Sequence, residues 1–157
     1  MNDIEKNKRR EFVSELMNKY VPDRTSLLPI LQDFQEKFGY IDEYSQQLIA
    51  FELDIHPVEV NSVISFYAFL YDKPVGRNIV RICKNIVCEF NGSKEISDAV
   101  IKEFKINPGE TTPDGKLTFE HVNCFGLCDK SPSMMVNGEI FENINKESAL
   151  KIIKELK

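Results

Sequence analysis

Apolar positions in the first half of the chain recur at helical spacing, while those in the second half alternate or run in short blocks. Phe12, Leu16, Met17 and Tyr20 mark an amphipathic helix over about residues 3–20. Leu27, Leu28, Leu31, Phe34 and Phe38 mark a second, with Thr25 or Ser26 as cap, Pro29 in the first turn and Gly39 as the stop. Asp42 caps a third helix that turns Leu48, Ile49 and Leu53 inward. His56-Pro57 opens a fourth, with Pro57 at its first position and Val60, Val63 and Ile64 as its buried stripe. The run Phe66-Tyr67-Ala68-Phe69-Leu70-Tyr71 follows. The Phe and Tyr stripes read as core, with partner anchoring by Phe66, Tyr67 or Phe69 as the alternative.

Asp72 to Gly76 reads as a linker, and the texture then changes. Asn78 to Ile82 is a β-branched run ending at Cys83. Ile96, Val100, Ile101 and Phe104 place a helix over about residues 92–105. Leu117 to Val122 alternates as a strand, with Leu117, Phe119 and His121 on one face. Met134–Val136 and Glu139–Phe141 flank Asn137-Gly138, a pair suited to the positive φ angles of a tight hairpin turn. A helix over about residues 146–156 closes the chain. The expected class is α+β: a helical bundle over residues 1–75, read as partner-docking, then an α/β domain over 76–157 compatible with a thioredoxin-like sheet.

Composition narrows the function classes. A formal charge of −5 argues against a general nucleic-acid surface. The one dense basic run, Lys8-Arg9-Arg10, sits among acidic residues and reads as a solvated helix face. No stretch has the apolar length to cross a bilayer, and the N-terminus lacks the pattern of a secretory signal. The expectation is a cytoplasmic protein, in a compartment that keeps thiols reduced.

The four cysteines then need an explanation other than disulfides. Their pattern is C-x4-C (Cys83, Cys88), an interval of thirty-five residues, and C-x3-C (Cys124, Cys128). Each pair begins where a strand has just ended, so two loops at one end of a sheet can present four thiolates to one object. Thioredoxin-type redox chemistry needs C-x-x-C, which is absent. Structural zinc usually takes C-x2-C knuckles and fits these spacings awkwardly. An iron–sulfur cluster is larger than a single ion and accepts wider spacings. Spacing favours the cluster and leaves a zinc-stabilised, non-redox adaptor as the rival from another class.

From Gly76 to Leu156 the chain resembles the thioredoxin-like [2Fe–2S] ferredoxin family. It is similar in particular to the small iron–sulfur subunits of NADH dehydrogenase (complex I) and of NAD(P)-linked multisubunit hydrogenases and formate dehydrogenases. The residues that carry the likeness are Cys83, Cys88, Pro108 to Gly115, Leu117 to Glu120, Cys124, Gly126, Cys128, Pro132 and Met135 to Asn137. The helical half joins in through Leu27 to Gln32, Phe38-Gly39-Tyr40 and Val60 to Tyr67. The resemblance implies a [2Fe–2S] cluster on Cys83, Cys88, Cys124 and Cys128. It also implies an electron-transfer subunit, non-catalytic alone, whose partners are an FMN-containing, NAD(P)H-oxidising subunit and further iron–sulfur subunits. The Lys-, Asn- and Ile-rich composition tilts the setting toward a soluble hydrogenase, an electron-bifurcating one included. A respiratory NADH dehydrogenase or a formate dehydrogenase is the alternative. Two departures stand out: Lys84 to Val87 where the family usually has Gly, Thr and a small residue, and Glu89 where it commonly has His.

The remaining polar residues read as structural. His121, three positions before Cys124, is expected to be a strand residue and not an iron ligand. His56 reads as a helix N-terminal residue. Pro108 to Gly115 lacks G-x-G-x-x-G and is no nucleotide site. Ser131 and Ser133 have no base partner in a catalytic pattern, so no catalytic residue is expected.

Overall fold

The computed structural model describes residues 2–156. The chain divides into two compact units, Met1–Pro74 and Val75–Lys157. The first is helical and the second carries the sheet, so the class is α+β as expected.

Four helices build the first unit: α1 (Asp3–Lys19), α2 (Leu27–Phe38), α3 (Glu43–Glu52) and α4 (Pro57–Phe66). Each start has a chemical cause. Asn2 and Glu5 form a capping box on α1, Asp42 accepts from the Ser45 N–H at α3, and His56 accepts from the Val58 N–H at α4. At α2 the expectation fails. A short 3-10 turn, Arg24–Ser26, precedes the helix; Asp23 caps that turn, and Ser26 makes no capping bond. Val13, Leu16, Ile30, Leu31, Phe34, Ile49, Val60 and Ile64 close the core between the helices.

Two further expectations are corrected in this unit. Arg9 is not solvated: it is 7% exposed, while its neighbours Lys8 and Arg10 are in water. It shares the inward stripe of α1 with Val13 and Leu16, at helical spacing. Its guanidinium lies 4.8 Å from the Phe38 ring centre, 5.3 Å from Tyr40 and 5.6 Å from Phe34. It also donates to the Ser45 hydroxyl at 3.0 Å and pairs with Asp42 at 3.6 Å. The aromatic run that begins at the last residue of α4 is not core either. Phe66 is 79% exposed and Phe69 48%, and only Leu70 of that segment turns inward.

The second unit is a four-stranded mixed sheet in the order β2-β1-β3-β4, from β1 (Asn78–Cys83), β2 (Leu117–Val122), β3 (Met134–Val136) and β4 (Glu139–Phe141). Between β1 and β2 run α5 (Ile86–Phe90) and α6 (Ser93–Phe104), and α7 (Lys146–Glu155) closes the chain. β1 pairs parallel with β2 and antiparallel with β3. Val80, Ile82, Leu117, Phe119, Met134 and Val136 share one core with Ile96, Val100 and Ile153 of the helices. On the other face Arg81 sits between Glu120 and Met135 in register and bonds the Glu120 carboxylate at 2.9 Å. Asn137 and Gly138, at φ 51° and 91°, make the hairpin turn that the Asn-Gly pair predicts. Gly76 passes so close to β2 that an added Cβ would stand 2.7 Å from the Leu117 carbonyl carbon. Pro108 to Gly115 forms a turn laid on β2, with the Gly109 N–H on the Phe119 carbonyl and the Phe119 N–H on the Glu110 carbonyl.

Candidate functional site

Parallel pairing decides where the cysteines lie. β1 and β2 run the same way and end in register, Cys83 opposite Val122, so their exits share one end of the sheet. Cys83 is the last residue of β1, and Cys124 follows β2 by two residues. The Lys84 N–H donates to the Val122 carbonyl at 2.9 Å, which ties the two exits together. Helix α5 was not expected from the sequence pattern. It begins just beyond Asn85 and turns Cys88 inward, back toward the sheet end.

The four thiols stand in two environments. Cys83 and Cys88 are buried, at 0% and 1% exposure, while Cys124 and Cys128 are exposed with their sulfurs 3.3 Å apart. Gly126, at φ 84°, provides the curl between Cys124 and Cys128 in a conformation that disfavours any side chain. It thereby aims its own N–H at the Cys124 sulfur, 3.2 Å away.

Electrostatics sets Cys124 apart from Cys83 and Cys128. Burial first of all, opposed by the Asn85 N–H and aided by the neighbouring Cys88 and Cys124, pushes the Cys83 thiol up to about 11. The Gly126 N–H holds Cys124 below the ordinary thiol range, helped by Cys128. Cys128 is raised, first of all by Cys124 beside it. Among the described residues, no three His, Cys, Asp or Glu side chains converge as they would around a single metal ion. The four thiols form two pairs, one buried and one at the surface, and four thiolates are the number that a two-iron cluster takes.

The other residues near the site take structural places. His121 hydrogen-bonds through Nε2 to the Ser97 hydroxyl and sets its ring edge-on to Phe119 at 5.2 Å. Burial lowers its pKa and Lys84 adds to the effect, against Asp98 and Glu89; it is a strand residue, as expected. His56 is occupied at the start of α4. Lys84 and Glu89 are exposed and, with His121, Ser97 and Asp98, line a cavity of about 190 Å³ beside Cys83. Ile86 and Phe90 of α5 are 62% and 85% exposed. Ser133, set aside in the sequence as lacking a base, stands 3.9 Å from the Cys88 sulfur.

A family model described as thioredoxin-like [2Fe-2S] ferredoxin matches residues 13–157. A component of the NADH-quinone oxidoreductase of Buchnera aphidicola subsp. Acyrthosiphon pisum is 37% identical over 144 residues, spanning 91% of this chain and 89% of that protein. Its namesake in Escherichia coli K12 is 32% identical over 148 residues, spanning 94% and 89%. In fold the chain is similar to an NAD+-reducing [NiFe]-hydrogenase in its air-oxidized state, with TM-score 0.74 and 22% identity over 83% of this chain. It spans 22% of that hydrogenase chain, and this likeness is one of fold. On sequence matches that run across most of its length, the chain belongs to the thioredoxin-like [2Fe-2S] ferredoxin family and has a [2Fe–2S] cluster as its cofactor.

Proposed function

We propose that the chain is a one-electron carrier whose cluster is held by Cys83, Cys88, Cys124 and Cys128, inside a multisubunit NAD(P)H-linked oxidoreductase. The observation that carries this reading is the gathering of two thiol-bearing loops at one sheet end, with one pair buried and the other exposed. When bound, a [2Fe–2S] cluster supplies one-electron chemistry at a potential set by charge, hydrogen bonds to its sulfurs and exposure. The protein's own part is to hold and tune. Cys83 and Cys88 keep water from one side of the site, and Cys124 and Cys128 bring the other side to the surface, where a partner can approach. Gly126 donates to the Cys124 sulfur and steadies its thiolate form.

The partners in this proposal are an FMN-containing, NAD(P)H-oxidising subunit and further iron–sulfur subunits. Exposed Ile86 and Phe90 beside Cys88 support an approach at the cysteine end, since large apolar side chains in water favour burial against another protein. The helical unit is proposed to dock a partner as well, through Phe66, Tyr67 and Phe69, all exposed. Two settings remain in the proposal. The relatives from Buchnera and E. coli carry the NADH-quinone oxidoreductase name. The composition, rich in Lys, Asn and Ile, favours a hydrogenase complex, an electron-bifurcating one included. Identifying the subunits that co-purify with the native chain decides between them.

Among the described residues no helix is long and apolar enough to cross a membrane. No dinucleotide fingerprint stands in the sequence. The homogeneous chain is therefore expected to be bleached by dithionite and to show no NADH oxidation. Adding the flavin subunit should let NADH reduce it. Appreciable NADH turnover by the isolated chain would refute the carrier reading.

A further inference from the structure

Ser133 touches both buried thiol residues. Its carbonyl accepts the Cys83 backbone N–H at 3.4 Å, and its hydroxyl stands 3.9 Å from the Cys88 sulfur. The residue is 1% exposed, so water does not compete for that hydroxyl, and no other hydrogen-bond partner for it falls among the described residues. Its position is fixed by the sheet. Met134, the next residue, opens β3 and pairs with Ile82 of β1. Ser131, two residues earlier, does different work: its hydroxyl accepts from the Asn91 side-chain amide at 2.8 Å.

With Cys88 as a ligand, the direction of the Ser133 bond is decided. A metal-bound thiolate carries no proton, so the hydroxyl is the donor and the sulfur the acceptor. Such a bond strengthens as the acceptor becomes more negative. One-electron reduction adds one negative charge to the site, breaks no bond and moves no proton at Ser133. The hydroxyl therefore favours the reduced state over the oxidised one.

We propose that Ser133 is a positioning and tuning residue of the redox centre, holding its reduction potential up through a hydrogen bond from its hydroxyl to the Cys88 sulfur. The inference rests on the proposed cluster ligation. The test is the midpoint potential of the full, cluster-loaded chain, titrated with the visible spectrum as readout. Ser133→Ala should keep the cluster and shift the one-electron equilibrium toward the oxidised form about threefold to tenfold, or about 30–60 mV to lower potential. Ser133→Gly removes the same hydroxyl together with its carbon, leaving no methyl against the sulfur, and should shift the potential the same way. Ser133→Thr, which restores a donor, should stay near wild type, and Ser131→Ala should leave the potential unmoved. A merely structural serine would alter thermal stability and leave the potential in place. Unshifted potentials in loaded Ser133→Ala and Ser133→Gly would overturn the proposal. A wild-type chain that takes up no iron would instead fail the ligation reading itself, and the proposal with it.

Discussion

Replacing Cys83, Cys88, Cys124 or Cys128 singly with Ala is expected to abolish or severely deplete the visible absorbance of the purified chain. His121→Ala is expected to keep it. A [2Fe–2S] cluster in this class is held by four thiolates, so removing one leaves an iron under-coordinated and open to water and oxidants. The two pairs should differ in how they fail. Loss of Cys83 or Cys88 removes a donor from a buried wall, with 0% and 1% exposure, where no outside thiol can enter to replace it. Cys124 and Cys128 lie at the surface, so an added small thiol has access and should partly rescue the colour of those variants. His121 is already engaged with Ser97 and Phe119 and has no role on iron in this account. Absorbance and iron content per chain, measured after anaerobic purification of all five variants, check the expectation. A colourless His121→Ala protein, or a fully loaded Cys88→Ala protein, would show the ligand set to be wrong.

Arg9→Met should destabilise the helical unit by about 3 kcal/mol, whereas Arg10→Ala should fall within about 0.5 kcal/mol of wild type. The two neighbours carry the same charge and differ in surroundings. Arg10 is exposed, and its guanidinium donates to the Tyr44 hydroxyl at 3.2 Å. Arg9 is enclosed by Phe34, Phe38 and Tyr40 and bonds Ser45, beside Asp42. Methionine keeps most of the aliphatic stem but removes the guanidinium. The substitution thus costs the cation–π contacts and one hydrogen bond, and leaves the Asp42 carboxylate without its cation. Asp42 also caps α3, so the loss reaches the start of that helix. Denaturant midpoints of the full chain, followed by far-UV circular dichroism, measure the difference. Equal midpoints for the two variants would contradict the structural role given to Arg9.

These residues also mark where the sequence was legible. The strands and the hairpin could be read because alternation and the Asn137-Gly138 pair act over a few neighbouring positions. The meeting of the two cysteine loops followed from both pairs lying just after strands, given that those strands run parallel. Arg9 was misread because a charged residue on a helix ordinarily faces water, and the three rings that enclose it come from α2 and the segment after it. Phe66 and Phe69 were misread for the reverse reason: an aromatic run looks like core unless one knows what covers it. α5 has five residues, too few to show a period. Ser133 and Cys88 are forty-five positions apart, and nothing local in the sequence links a serine hydroxyl to a sulfur at that distance.

The central claim is that four cysteines of this chain hold one two-iron cluster. Its most direct test is metal and sulfide analysis of protein made under iron-replete, anaerobic conditions, joined to electron paramagnetic resonance before and after dithionite. The account predicts about two irons and two acid-labile sulfides per chain, and a rhombic signal only in the reduced sample. Zinc as the main metal, with no iron and no signal after reduction, would contradict it.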